Sequence, residues 1–197
     1  MRPHRPFILP DVLAPGLRVV FCGTAPGTRS AHDRAYYAHP GNHFWRALFA
    51  AGLTPRQLAP ADFRTVLEFG IGLTDVAKHA SGADAELPRE AFDAPALRRK
   101  LRRYQPRIVA FTSKNAARAA LGSGARRLPY GEQAQRVAGC RVFVLPSPSG
   151  QARGFWDLKP WRALARAAHE RAAAVISARQ TPTCGQSASP APATARS

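Results

Sequence analysis

Two short loops in this sequence hold residues suited to gripping a ligand. The first, Gly23-Thr24-Ala25-Pro26-Gly27-Thr28-Arg29-Ser30, directly follows an apolar run. Its two glycines allow close backbone approach, and its amides can hold an anionic or carbonyl-bearing group. It is not a Walker loop, because no Gly-Lys-Ser/Thr follows, and the GxGxxG spacing of a dinucleotide fingerprint is absent. A plain turn is the simpler alternative for such a sequence. The second loop, Pro146-Ser147-Pro148-Ser149-Gly150-Gln151-Ala152-Arg153, also follows an apolar run. Small residues, a flexible glycine and a trailing arginine suit contact with a phosphate backbone and insertion of a side chain into a duplex. A serine nucleophile is disfavoured, since no GxSxG elbow surrounds Ser149.

Between the loops lies Tyr36-Tyr37-Ala38-His39-Pro40-Gly41-Asn42-His43-Phe44-Trp45. An aromatic beside a strand-end loop can stack a base, and Tyr37 is the better candidate. Phe44 and Trp45 open an apolar helix and are expected in the core. Lys114 could form a Schiff base, but no acidic partner stands near it in the sequence.

These loops need a scaffold, and the pattern around them supplies one. Leu17–Cys22, Arg107–Thr112 and Arg141–Leu145 read as buried strands. Helical patterns follow at 44–51, 115–121 and 160–179, two of them stopped by Gly52 and Gly122. Such alternation predicts an α/β fold whose mostly parallel sheet is covered on both faces. The loops after Cys22, Phe111 and Leu145 should then converge on one rim, beyond the carboxyl ends of the strands. Residues 1–16 read as an extended, basic, proline-rich lead-in, 17–178 as the domain, and 179–197 as a tail too poor in apolar residues to order itself.

Charge narrows the partner. The 197 residues hold 29 Lys+Arg against 12 Asp+Glu, a formal net charge of +17. Such a surplus suits a polyanion, because each cation set against a phosphate releases condensed counterions. An Arg-rich proteome is the competing explanation, since only four of the 29 are lysines. The basic stretch Arg98, Arg99, Lys100, Arg102, Arg103 and Arg107 is either a phosphate track or a solvated helix face. Cys22, Cys140 and Cys184 are scattered, with no CxxC pair or Cys/His cluster, so neither a metal nor another cofactor is expected. With no apolar run long enough to span a bilayer and no secretory leader, a cytoplasmic protein with reduced thiols is expected, without membrane contact.

The sequence resembles the mismatch-specific uracil/thymine DNA glycosylases of the uracil-DNA glycosylase superfamily. The resemblance spans roughly Leu17 to Arg153. It rests on the Gly23–Gly27 loop, on Ala38–Trp45, on Gly70-Ile71-Gly72-Leu73-Thr74-Asp75 and on Leu145–Gly150, in the family's order. It implies a three-layer α/β/α domain, acting as a monomer without cofactor, that flips deoxyuridine out of DNA (a U·G mismatch above all) and hydrolyses its N-glycosidic bond. Carried over by position, the Thr24 backbone and the Ser30 hydroxyl would bind the uracil edge, and Tyr37 would stack on it. Gly150, Gln151, Ala152 and Arg153 would form the wedge that fills the gap left by the flipped base.

Two departures matter. The family's first loop is usually Gly-Ile-Asn-Pro-Gly, whose Asn positions the attacking water; Ala25 stands there, with no polar side-chain atom. The second motif usually begins with Asn, and here it is Ser147. Either another group handles the water, or the protein is a weak or inactive relative that binds lesions. An oxocarbenium-like transition state calls for a carboxylate that stabilises the cationic sugar and takes the water's proton. Among the 12 acids, Asp93 ranks first, although an Asp before a helix is also a routine N-cap. Asp75, in the third motif, ranks second, and Asp33 follows.

Overall fold

Runs of apolar residues too short for helices must be buried on both faces, and here they form the centre of one sheet. The structure, a computed structural model, describes residues 6–122, 128–150, 154 and 156–170. Its strands are β1 (Val19–Gly23), β2 (Ile71–Asp75), β3 (Ile108–Phe111), β4 (Gly131–Val137) and β5 (Cys140–Val144), in the order β2-β1-β3-β5-β4. All pairings are parallel except β4 with β5, a hairpin. Every residue of β1, β2 and β3 is buried.

Side-chain alternation divides the interior into two cores. Val19, Phe21, Ile108, Ala110 and Phe143 face one side, where α2 (Phe44–Ala50) and α5 (Lys159–His169) pack. Cys22, Val109, Phe111, Val142 and Val144 face the other, against α3 (Ala94–Tyr104) and α4 (Lys114–Leu121). The short α1 (Thr28–Asp33) follows the first loop. This is the three-layer α/β/α arrangement with a mostly parallel sheet. Phe44, fully buried, and Trp45, 4% exposed, are core residues as expected.

Two strands escape the apolar-run criterion. β4 is polar and largely exposed, an edge strand held by its hairpin partner. β2 carries Gly72, and a Cβ there would lie 2.8 Å from the Val12 carbonyl and 2.7 Å from Leu17 Cδ1. That glycine lets the N-terminal segment cross. Val12 and Leu73 exchange two N–H···O bonds of 2.9 Å, and Leu9 and Val12 are buried in the first core. The expected start of the domain at Leu17 is therefore too late. A proline-rich composition hid two apolar anchors that cover the outer edge of β2. The expected tail, 179–197, lies outside the described residues.

Candidate active site

β1 is the strand at which the sheet order reverses, with β2 on one side and β3 on the other. Crevices in open α/β sheets form beyond the carboxyl ends of strands at such a point. A cavity of about 860 Å³ lies there. Gly23–Ser30 after β1, Asp75 at the end of β2, Thr112–Asn115 after β3 and Ser147–Gly150 after β5 all line it. The three loops expected to converge do so, and β2 adds a fourth contribution.

Thr24, Ala25, Ser30, Tyr37, Ser147 and Gly150 all line this cavity. Ser30 Oγ accepts the Ala38 N–H at 3.1 Å, tying the first loop to the Tyr36–His43 segment and leaving its own O–H as a donor. Tyr37 stacks on Phe44, with centroids 3.7 Å apart and planes 15° apart, so one face of its ring is covered. Its backbone is left-handed, at φ 54°, and burial pushes its phenol well up. The second loop is tied to the same segment: His43 donates its N–H to the Pro148 carbonyl at 2.8 Å. A Cβ on Gly150 would lie 3.0 Å from the Gly41 carbonyl. Gln151, Ala152 and Arg153 of the expected wedge lie outside the described residues.

Of the three carboxylates singled out in the sequence, only Asp75 lines the cavity. Asp93 Oδ1 accepts the Ala96 N–H at 2.7 Å as the N-cap of α3, and the residue does not line the cavity. The first-ranked candidate is thus a capping residue, held by the first turn of α3 ahead of Pro95. Asp33 is held by Arg29 and His32 on the surface. Asp75 does line the cavity, 3% exposed, and its Oδ2 has no hydrogen-bond partner. Burial pushes its carboxyl up to about 6, against the opposing pull of Lys78, whose Nζ lies 3.6 Å away. A carboxylate stripped of water and partly compensated is the kind of group enzymes use as a base near neutral pH.

Several cavity residues carried no signal in the sequence. Asp84 Oδ2 accepts from Thr24 Oγ1 at 3.1 Å and from Asn115 Nδ2 at 2.9 Å, and Ser113 Oγ lies 3.1 Å from Thr24 Oγ1. This polar wall comes from three separate segments, so no local spacing marks it. Thr112 Oγ1 lies 3.4 Å from the Tyr37 hydroxyl. Asn42 also lines the cavity, its Oδ1 accepting the Phe44 N–H at 2.9 Å. Lys114 Nζ rests over the Tyr130 ring, 4.5 Å from its centroid, at the rim.

The basic stretch of α3 does not reach the rim. The Tyr104 carbonyl accepts from Gly16 N–H, and Arg107 N–H donates to Leu17, both near the amino end of β1. Lys100 is paired with Asp11, and Arg98 donates to the Ala120 carbonyl. This stretch runs away from the cavity, toward the amino end of β1. Among the described residues no cluster of His, Cys, Asp or Glu could hold a metal ion, and no helix is long and apolar enough to cross a membrane.

Comparison with known proteins agrees with the geometry. Residues 10–167 match the family model described as the Uracil DNA glycosylase superfamily. A solution NMR structure from Methanosarcina acetivorans, described as a "putative Uracil DNA glycosylase", superposes with a TM-score of 0.59 at 24% identity. The match covers 84% of this chain and 99% of that one. At that identity the likeness concerns the fold.

Proposed function

The chain belongs to the uracil DNA glycosylase superfamily, and we propose that it is a monofunctional glycosylase that hydrolyses the N-glycosidic bond of deoxyuridine flipped from DNA, with U·G mismatches among its substrates. The observation that carries this reading is the buried carboxylate of Asp75 in a strand-end cavity that also holds Tyr37.

In this mechanism the base enters the cavity against the face of Tyr37 opposite Phe44. The backbone of Thr24 and the O–H of Ser30 bind its polar edge. The bond between C1′ and N1 breaks, its electron pair leaves with the base, and positive charge develops on the sugar. Asp75 stabilises that charge and takes a proton from water as the water oxygen bonds to C1′. The uracil anion is protonated on release, and an abasic site remains. Asp75 thereby takes over the water-handling task that Ala25 cannot perform.

A second reading has one observation in its favour. Ala25 at the water-positioning site suits a relative that binds lesions without turnover. Turnover decides between them. Release of free uracil from a uracil-containing duplex, with an alkali-labile abasic product, supports the glycosylase. Tight binding to U·G without product supports the lesion binder.

A further inference from the structure

Lys78 follows the third motif by three residues and has no part in the mechanism above. It is 5% exposed, so its ammonium must be compensated within the protein. Three oxygens surround it: it donates to the Tyr36 hydroxyl at 2.9 Å and lies 3.1 Å from Asp11 Oδ1 and 3.6 Å from Asp75 Oδ2. Asp11 is itself fixed, by Lys100 at 2.6 Å and by the Thr74 hydroxyl at 2.7 Å. Phe7 closes the outside of this group, with the ammonium groups of Lys78 and Lys100 at 5.3 and 4.8 Å from its ring centroid. A chain of alternating charge thus runs from α3 through the N-terminal segment to the cavity.

We propose that Lys78 is a positioning residue that keeps Asp75 ionised and turned toward the cavity, and that Asp11 anchors Lys78 in that place. The proposal rests on the assignment of Asp75 as the proton acceptor. Two carboxylates and two ammonium groups balance in this chain. Of these two carboxylates, Asp75 combines a place in the cavity wall with a buried oxygen that has no hydrogen-bond partner, whereas Asp11 is bonded to Lys100 and Thr74. Lys78 lies against the unpartnered oxygen, so it contributes charge there without occupying it in a hydrogen bond. The N-terminal segment, whose Leu9 and Val12 pack in the core, becomes part of the catalytic apparatus through Asp11.

The charged and titratable groups around Asp75 are Lys78 beside it, Asp11 on the N-terminal segment, Lys100 on α3, Tyr36 and Tyr37, and Cys22 on β1. Burial raises the Asp75 carboxyl, Lys78 lowers it and Asp11 raises it. The two neighbours therefore act in opposite directions, which separates an electrostatic role from a merely structural one.

The test is the pH profile of single-turnover uracil release from a U·G duplex by the full chain and its Lys78→Met, Lys78→Arg and Asp11→Asn variants. Lys78→Met is expected to move the midpoint of the rising limb upward by about one pH unit or more, the usual effect of losing a cation at this distance. Lys78→Arg should restore the limb most of the way, and Asp11→Asn, whose amide oxygen still accepts from Lys78 while its negative charge is gone, should move it downward. If Lys78→Met does not fold, Asp11→Asn decides alone, because a fixed limb in that variant overturns the proposal. Loss of rate with an unmoved limb in both variants overturns it as well. Asp75→Asn separates the two levels: if that variant still releases uracil, the assignment of Asp75 fails. If it is dead while the Lys78 and Asp11 limbs stay put, only the role of Lys78 fails.

Discussion

Asp75 Oδ1 lies 2.5 Å from the point where a side chain at Gly23 would begin, and the Tyr37 hydroxyl lies 3.5 Å from the same point. The two residues are register partners, Gly23 at the end of β1 and Asp75 at the end of β2. The missing Cβ is what admits the carboxylate to the head of the cavity. Gly23 serves here by its size, since its backbone is that of an ordinary strand. Gly23→Ala must push the carboxylate aside, and displacement of a reacting group by about 1 Å can cost 100-fold in rate. A loss of that order in uracil release is expected, with a melting temperature lowered much less than a core cavity would lower it. Retained activity would mean that the carboxylate position does not matter.

Burying Asp75 costs stability, and the sign can be followed with pH. Its carboxyl is raised from 3.8 to about 6 in the folded chain. Between those values the native state holds a proton that the unfolded state has lost, so stability falls as pH rises through about 6. Above that window the ionised group destabilises the fold by up to about 3 kcal/mol relative to its neutral form. Asp75→Asn should therefore melt higher than the parent chain at pH 8, with the gain shrinking toward pH 4. A variant less stable at both pH values would indicate that the Lys78 contact outweighs burial.

The same group sets the pH dependence of activity. Asp75 must be ionised to accept a proton, so base release should rise with pH and level off above a midpoint near 6. A profile flat from pH 5 to pH 8 would point to a different proton acceptor.

Asp93 offers the contrasting case. Its carboxylate caps α3 and lies outside the cavity wall. Asp93→Ala should cost about 1 kcal/mol of stability, the usual loss of an N-cap, and leave the rate of uracil release within about twofold. Thermal melts and single-turnover assays on one preparation check both.

Tyr37 is stacked on Phe44 and half-buried beside the cavity. Tyr37→Ala should weaken capture of the flipped base by about 1–3 kcal/mol, the usual scale for one stacked base. The loss should fall mainly in KM for the damaged duplex. Unchanged binding would remove Tyr37 from the base contact.

Three strands of the sheet, both helical layers and the convergence of three loops were legible because buried strands such as Val19–Cys22 and Ile108–Phe111 carry apolar runs, whereas β2, equally buried, is broken up by Gly72, Thr74 and Asp75. β4 was not, because an exposed edge strand such as Gly131–Val137 needs no apolar pattern. Leu9 and Val12 were missed because single apolar anchors among prolines carry no period. In the site, Thr24, Ser30 and Tyr37 could be found through their local motifs. Asp84, Asn115 and Lys78 could not, since their partners lie on other segments. On sequence, Asp93 stands ahead of Asp75 as a candidate for a related reason: a helix-start position is visible there, whereas a place in a cavity wall is a property of the folded sheet.

Single-turnover uracil release from a U·G duplex at neutral pH, by the parent chain, Asp75→Asn and Asp93→Asn side by side, tests the central assignment most directly. The expected result is product from the parent chain and from Asp93→Asn at similar rates, and a rate lower by about 100-fold or more for Asp75→Asn, the scale of a lost general base. Equal rates for all three proteins, or a dead Asp93→Asn beside an active Asp75→Asn, would contradict it.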